Sequence, residues 1–337
     1  MTPSQWGDGS RSFAAELTRF AETARCAHFA PLVAQIRRPL PVAIVGRHGV
    51  GRSTVEAALR ARGVSVAAEP VADIRVVVIA EALKPEDEAL LASDPRPTLV
   101  VLGKADVIGA SVGGPLAAAK RYAVEASAAT GAPVVAMVGL LATVGDLDDE
   151  LVDALRTLVE VPADLASVDA FVRGEHPLRP ELRARLIARL DRFGIAHAVL
   201  ALANGADRAA LVARLNDLSN VDAVVAGLRR VAAPVGYRRV QGAMTELRCL
   251  QARFGDQQVL QFLDADATAM AVMTAAVGVV EAEGMTVDRG DEPAAHARRA
   301  LHWSRYARGP VNALHRRCAA DITRGSLRLL DQAESGR

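Results

Sequence analysis

The chain has 337 residues, 51% of them apolar and only 4% aromatic, which leaves room for two domains with cores built mainly of Ala, Val and Leu. Its 40 basic residues nearly cancel its 39 acidic ones, so no global charge draws nucleic acid or an anionic membrane. Cys26, Cys249 and Cys318 lie far apart with no CxxC pair, which argues against a disulfide frame or zinc site and predicts reduced thiols.

Residues 1–20 carry Asp8 and Glu16 with no continuous apolar stretch, so no secretory signal is expected. No uncharged apolar run reaches the ~18 residues that a spanning helix needs; the closest is 267–280. The expected location is cytoplasmic, at most peripheral to a membrane. Residues 13–38 show helical spacing through Phe13, Leu17, Phe20 and Ala24, stopped by Pro39. An N-terminal helical segment, 1–38, is therefore expected ahead of the first domain. The apolar run 41–45 before Gly46 reads as a buried strand, and 52–62 as a helix ending at Gly63. A second strand is expected over 74–80. It leads to a helix over 85–92 with Pro85 in its first turn and Glu86, Asp87 and Glu88 at its positive end. A third strand, 97–102, a helix ending near Thr130, a fourth strand, 132–138, and a helix over 146–161 complete the alternation.

That alternation predicts an α/β domain over 39–162 with a mostly parallel sheet. From Pro180 to Leu330 helical periodicity runs almost unbroken, which predicts an all-α domain over 163–337. Helix breaks are expected at Gly194, Asn204-Gly205, Pro234 to Gly236, Gly284 to Pro293 and Gly309-Pro310.

The segment Gly46-Arg-His-Gly49-Val50-Gly51-Arg52-Ser53-Thr54 matches the phosphate-loop pattern G-x-x-x-x-G-K-[ST], with arginine in the lysine position. A strand enters it and a helix leaves it. Its glycines let successive backbone N–H groups face one anion, and the helix N-terminus adds attraction. Gly46, Gly49, Val50, Gly51, Arg52, Ser53 and Thr54 are the candidate phosphate-binding residues, with Ser53 the hydroxyl ligand to Mg²⁺. Arg52 would reach the terminal phosphates through its fork, which is not equivalent to the point charge of lysine. The alternative is a tight glycine turn that holds no ligand.

Gly103-Lys104-Ala105-Asp106 follows the third strand. With the glycine-rich loop, it resembles the Asn-Lys-x-Asp guanine motif of translation-factor-type GTPases. The resemblance implies that Asp106 accepts hydrogen bonds from guanine N1 and N2 while the stem of Lys104 packs along the base. Gly103 stands where the asparagine that ties this loop to the phosphate loop would be. A fifth loop is expected at 139–142, without the usual Ser-Ala. Between Thr54 and Thr98 there is no threonine and no Asp-x-x-Gly, so both switch segments of an ordinary GTPase are missing. Glu81, after the second strand, is the one acid there that could serve Mg²⁺ or a nucleophile, a helix-start acid being the alternative.

The chain resembles bacterial dynamin-like GTPases, of the actinobacterial kind related to the isoniazid-inducible proteins. The resemblance rests on the glycine-rich loop after 41–45, on 72–81 with 84–87 and 97–106, and on 186–195 with 211–228. It implies GTP/GDP, Mg²⁺, a GTPase head and a helical stalk. It also implies a homo-oligomer, a dynamin-like protein or a membrane as partner. Two functions follow as expectations: a slow GTPase or nucleotide-dependent switch, or a non-catalytic pseudo-GTPase that serves as a scaffold. An ATP-using enzyme is a third, against which the Lys-x-Asp segment speaks.

Between Arg298 and Arg328 stand eight arginines, one acid (Asp321), and Trp303 and Tyr306. Such a segment can lie on an anionic membrane as a basic amphipathic helix, or it can be a solvated arginine-rich face; nucleic acid is the least expected partner.

Overall fold

The computed structural model describes residues 9–24, 29–109 and 112–335. Cys26 lies outside them. The chain divides into two compact units: Pro41–Leu228, and the segment up to Leu40 joined with everything from Arg229 onward.

At the start stand two helices, α1 (Gly9–Ala24) and α2 (Ala30–Arg37), where periodicity predicts one helix over 13–38. α2 ends at Arg37, with Arg38 as its C-cap before Pro39. The sheet unit then alternates β1 (Val42–Val45), α3 (Arg52–Ala61), β2 (Ile74–Ala80), α4 (Pro85–Ala92), β3 (Thr98–Gly103), α5 (Gly114–Thr130) and β4 (Val134–Ala136). The four strands are all parallel in the order β1-β2-β3-β4. All seven residues of β2 are buried, as a central parallel strand covered on both faces requires.

Arg75, in β2, is fully buried. Its guanidinium donates to Leu90 O (3.0 Å) and lies 3.6 Å from a Glu69 carboxylate oxygen, so the charge is compensated near the start of the strand.

After β4 come a 3-10 segment, Gly139–Asp146, and helices α6 (Asp149–Glu160), α7 (Val168–Arg173), α8 (Pro180–Ala203) and α9 (Arg208–Ser219). Asp148, Ser167 and Asp207 cap α6, α7 and α9 by accepting from Leu151, Ala170 and Ala210 N–H. These helices share one core with the sheet: Leu155, Phe171, Leu186, Leu190 and Leu215 join Val77, Val100 and Leu102. The sheet unit therefore extends past Pro162 to Leu228. Helical periodicity marks the change of secondary structure at that point, but burial of the helices against strand residues decides the unit.

Helix α8 does not break at Gly194. A Cβ there would come within 2.7 Å of Leu141 Cδ2, so this glycine serves close packing; the bend falls at Asp191 instead, at φ 54° and ψ 175°. α10 (Val221–Phe254) likewise continues through Pro234. Its early residue Gly227 lies on the sheet, with Leu99 Cδ1 3.1 Å from a would-be Cβ.

The other unit combines α1 and α2 with the rest of α10, α11 (Gln257–Asp264), α12 (Asp266–Ala282), α13 (Pro293–Ala307) and α14 (Ala313–Ser335). Helix breaks at Asn204-Gly205, after Gly284 and at Gly309-Pro310 fall where expected. Phe13, Leu17, Tyr237, Leu247, Val277, Trp303 and Ile322 belong to its core. No single helix among the described residues is long and apolar enough to cross a membrane; α11 and α12 reach that only as a pair bent by 52°. Residues 271–273, 275–277, 279 and 280 of α12 are buried in the core.

Candidate functional site

Three loops converge where the parallel strands end. The first is the glycine-rich loop 46–51 between β1 and α3. Gly46 (φ 146°), Gly49 (φ 81°) and Gly51 (φ 95°) all have positive φ, a backbone that side chains rarely adopt. At Gly46 a Cβ would also lie 2.4 Å from Val78 O. Val50 is buried, while His48, Arg52 and Ser53 are exposed and Thr54 is half-buried. α3 starts at Arg52 with no side chain capping it, so its first N–H groups open toward the loop.

The second is the turn after β3. Gly103 lies against the first loop: a Cβ there would be 3.1 Å from Val50 O. The two loops therefore meet at Gly103 through close backbone packing. Lys104 is exposed at φ 54°, and Asp106 is half-buried in a 3-10 turn, Ala105–Val107. Burial pushes the Asp106 carboxyl above its usual pKa; nearby Asp191 adds to the shift and Lys104 opposes it. The third loop begins at Gly139, where a Cβ would be 2.9 Å from Thr54 Cγ2. The structure therefore brings the residues of both sequence motifs to one end of the sheet, with the 139–146 segment beside them.

β2 lies between β1 and β3, so Glu81 at its end neighbours the glycine-rich loop as well as the Lys-x-Asp strand. It is exposed at φ 66°. In the interval where switch segments would stand, residues 65–67 make one parallel bridge to β1: Val42 N–H donates to Ser65 O (2.8 Å) and Ala67 N–H to Val42 O (3.0 Å). Pro70, in the following 3-10 turn, cannot donate to a ladder.

Sequence reasoning missed the partner of Arg47. Its Nε and Nη2 donate to Asp87 Oδ1 and Oδ2 at 2.8 and 3.0 Å, and the Asp87 carboxylate is fully buried. These bonds hold the Arg47 guanidinium above its usual pKa. In sequence, Asp87 reads only as an acid suited to the start of α4. An arginine in the glycine-rich loop was the one available hint of a partner.

No known protein family, curated protein or solved structure matches this chain.

Among the described residues, no group of three or more His, Cys, Asp or Glu side chains could hold a metal ion. Ser53 is exposed in the first turn of α3.

The basic C-terminal stretch forms parts of two helices, and three of its eight arginines pair with carboxylates. Arg298 pairs with Asp288 and Glu292, Arg324 with Asp321 and Arg328 with Asp266. Buried Arg299 donates to Ser326 Oγ (3.0 Å) and Asp288 O (2.8 Å). Trp303 is a core residue, and Tyr306 hydroxyl bonds His315 Nδ1 at 2.8 Å.

Proposed function

We propose that the sheet unit is a P-loop domain that binds a guanine nucleotide. The observation that carries this reading is the convergence of the positive-φ glycine loop, the Lys-x-Asp turn and the 139–146 segment at the strand ends. Ligands of parallel α/β sheets bind at that end. The backbone N–H groups of 46–54 cradle the phosphates, with help from the α3 terminus. Arg52, exposed at the start of α3, supplies the positive charge. Lys104 packs along the base and Asp106 accepts from its edge. Mg²⁺ supplies charge neutralisation at the phosphate oxygens, with Ser53 as its protein ligand.

The second reading is a pseudo-GTPase that keeps the pocket without turnover and acts as a scaffold for a dynamin-like protein or for another copy of itself. It is favoured by the short stretch between α3 and β2, which carries a single bridge to β1 and a 3-10 turn. Fast hydrolysis needs a positioned water and Mg²⁺ partners; Glu81, exposed at the end of β2, is the candidate acid for that work.

Titration with fluorescent GTP and ATP analogues, with and without Mg²⁺, tests the proposal. The expected result is micromolar, Mg²⁺-dependent GTP binding, weak ATP binding, and no GTP binding by Arg52→Ala. Equal affinity of Arg52→Ala and wild type would remove the phosphate-loop assignment. Single-turnover measurement of GTP cleavage then separates a slow GTPase from a scaffold.

A further inference from the structure

Arg47 is the second residue of the glycine-rich loop, directly beside Gly46, and its side chain, one quarter exposed, reaches across to α4. Two of its N–H groups clamp both oxygens of Asp87, a fork-to-fork geometry that fixes orientation as well as distance. The same carboxylate accepts the Lys84 N–H at 3.1 Å, so one buried anion holds both the loop and the first turn of α4. Close backbone packing also holds the loop at two places. A Cβ at Gly46 would lie 2.4 Å from Val78 O, and one at Gly103 would lie 3.1 Å from Val50 O. Of these attachments, only the Arg47 fork is electrostatic and joins the loop to a helix.

We infer that the Arg47–Asp87 pair is a positioning latch for the glycine-rich loop, holding its N–H groups ready for a polyanionic ligand such as a nucleoside triphosphate. The latch divides labour between the two arginines. Arg47 has its charge neutralised by Asp87 and orders the loop, while Arg52 keeps its charge for the ligand. Ordering the loop before the ligand arrives lowers the entropy cost of binding. The ligand named here rests on the nucleotide reading above; the latch itself does not.

Asp87→Asn removes the charge and one acceptor of the latch, while Arg47→Met removes the fork outright and leaves the Lys84 bond to Asp87 in place. A buried carboxylate without its counter-charge strains the fold, so the double variant Arg47→Met/Asp87→Leu, which removes both charges, is measured beside them. The readout is the backbone amide order parameter of residues 47–52 in the free protein by NMR. Values near ~0.85 in the wild type are expected to fall toward ~0.6 in all three variants, with β2 and β3 unchanged. Arg47→Lys, which keeps the charge but not the fork, is expected to recover part of the difference. Wild-type order retained in Arg47→Met and in the double variant would overturn the latch and leave Asp87 as a helix cap alone. GTP titration of the same samples reads the other proposition, with an expected loss of about tenfold in affinity and unchanged preference over ATP (about 1.4 kcal/mol). If the wild type binds no GTP, the nucleotide reading fails while the order parameters still decide the latch.

Discussion

Two arginines five residues apart show how burial divides residues of one type into different jobs. Arg47 finds a fully buried carboxylate, whereas Arg52 at the start of α3 is exposed. Asp106 stands between these cases. It is half-buried without an arginine, and desolvation lifts its pKa. Reading guanine requires the ionised carboxylate, because only that form accepts from both N1 and N2 donors. GTP affinity is therefore expected to fall on acidification at a higher pH than an ordinary aspartate near ~3.9 would give. Calorimetric titrations between pH 7 and 4 check this; affinity flat down to pH 4 would count against Asp106 as the base reader. Asp106→Asn should shift preference from GTP toward xanthosine triphosphate, whose ring reverses one donor and acceptor. A variant that still prefers GTP would remove the guanine assignment.

At the scale of elements, glycines decide how closely the three loops approach. Gly103 is informative because the family resemblance and the structure point in opposite directions. By resemblance, Gly103→Asn restores the motif and should strengthen binding. By geometry, any Cβ there meets Val50 O at 3.1 Å, so that carbonyl must shift by a few tenths of an ångström. The expected outcome is weaker GTP binding, by about tenfold or more, and improved affinity would show that the loop yields. Gly46→Ala faces both a positive φ and a carbonyl oxygen at 2.4 Å, so a loss of about 2–4 kcal/mol in urea unfolding is expected. Strand, loop and helix order over 41–136 was legible in sequence because apolar runs, glycines and helix starts punctuate it. Convergence of the motifs was legible too, since parallel strands put their following loops at one end. Other features were not. Arg47 and Asp87 are forty positions apart, and no local pattern encodes a pair made across the fold. Gly194 and Pro234 suggested breaks because local propensity disfavours helix there. Tertiary packing overrides it: Gly194 admits Leu141, and α10 has buried residues on both sides of Pro234, Val224 and Tyr237 among them.

For the whole molecule, two separate cores replace the simple division into an α/β first half and a helical second half. Leu155, Phe171 and Leu190 are buried with β2 and β3, while Phe13 and Leu17 are buried with α10, α12 and α14 residues from the far end of the chain. A core of that second kind must close a loop of more than 200 residues, as the Phe13–Phe262 ring contact shows, which contributes to slow folding. Each core should respond to its own cavity mutation. Phe171→Ala removes a fully buried ring from the sheet unit and Trp303→Ala one from the helical unit, each costing about 3–5 kcal/mol locally. Native-state hydrogen exchange reads the two separately. Phe171→Ala is expected to lower protection in β2 and β3 and to weaken GTP binding, because the loops hang from those strands. Trp303→Ala is expected to lower protection in α12 and α14 and leave GTP affinity within about twofold of wild type. Equal loss of protection in both units from either mutation would mean that the cores unfold as one cooperative body. A Trp303→Ala protein that had lost GTP binding would place part of the nucleotide's support outside residues 41–228.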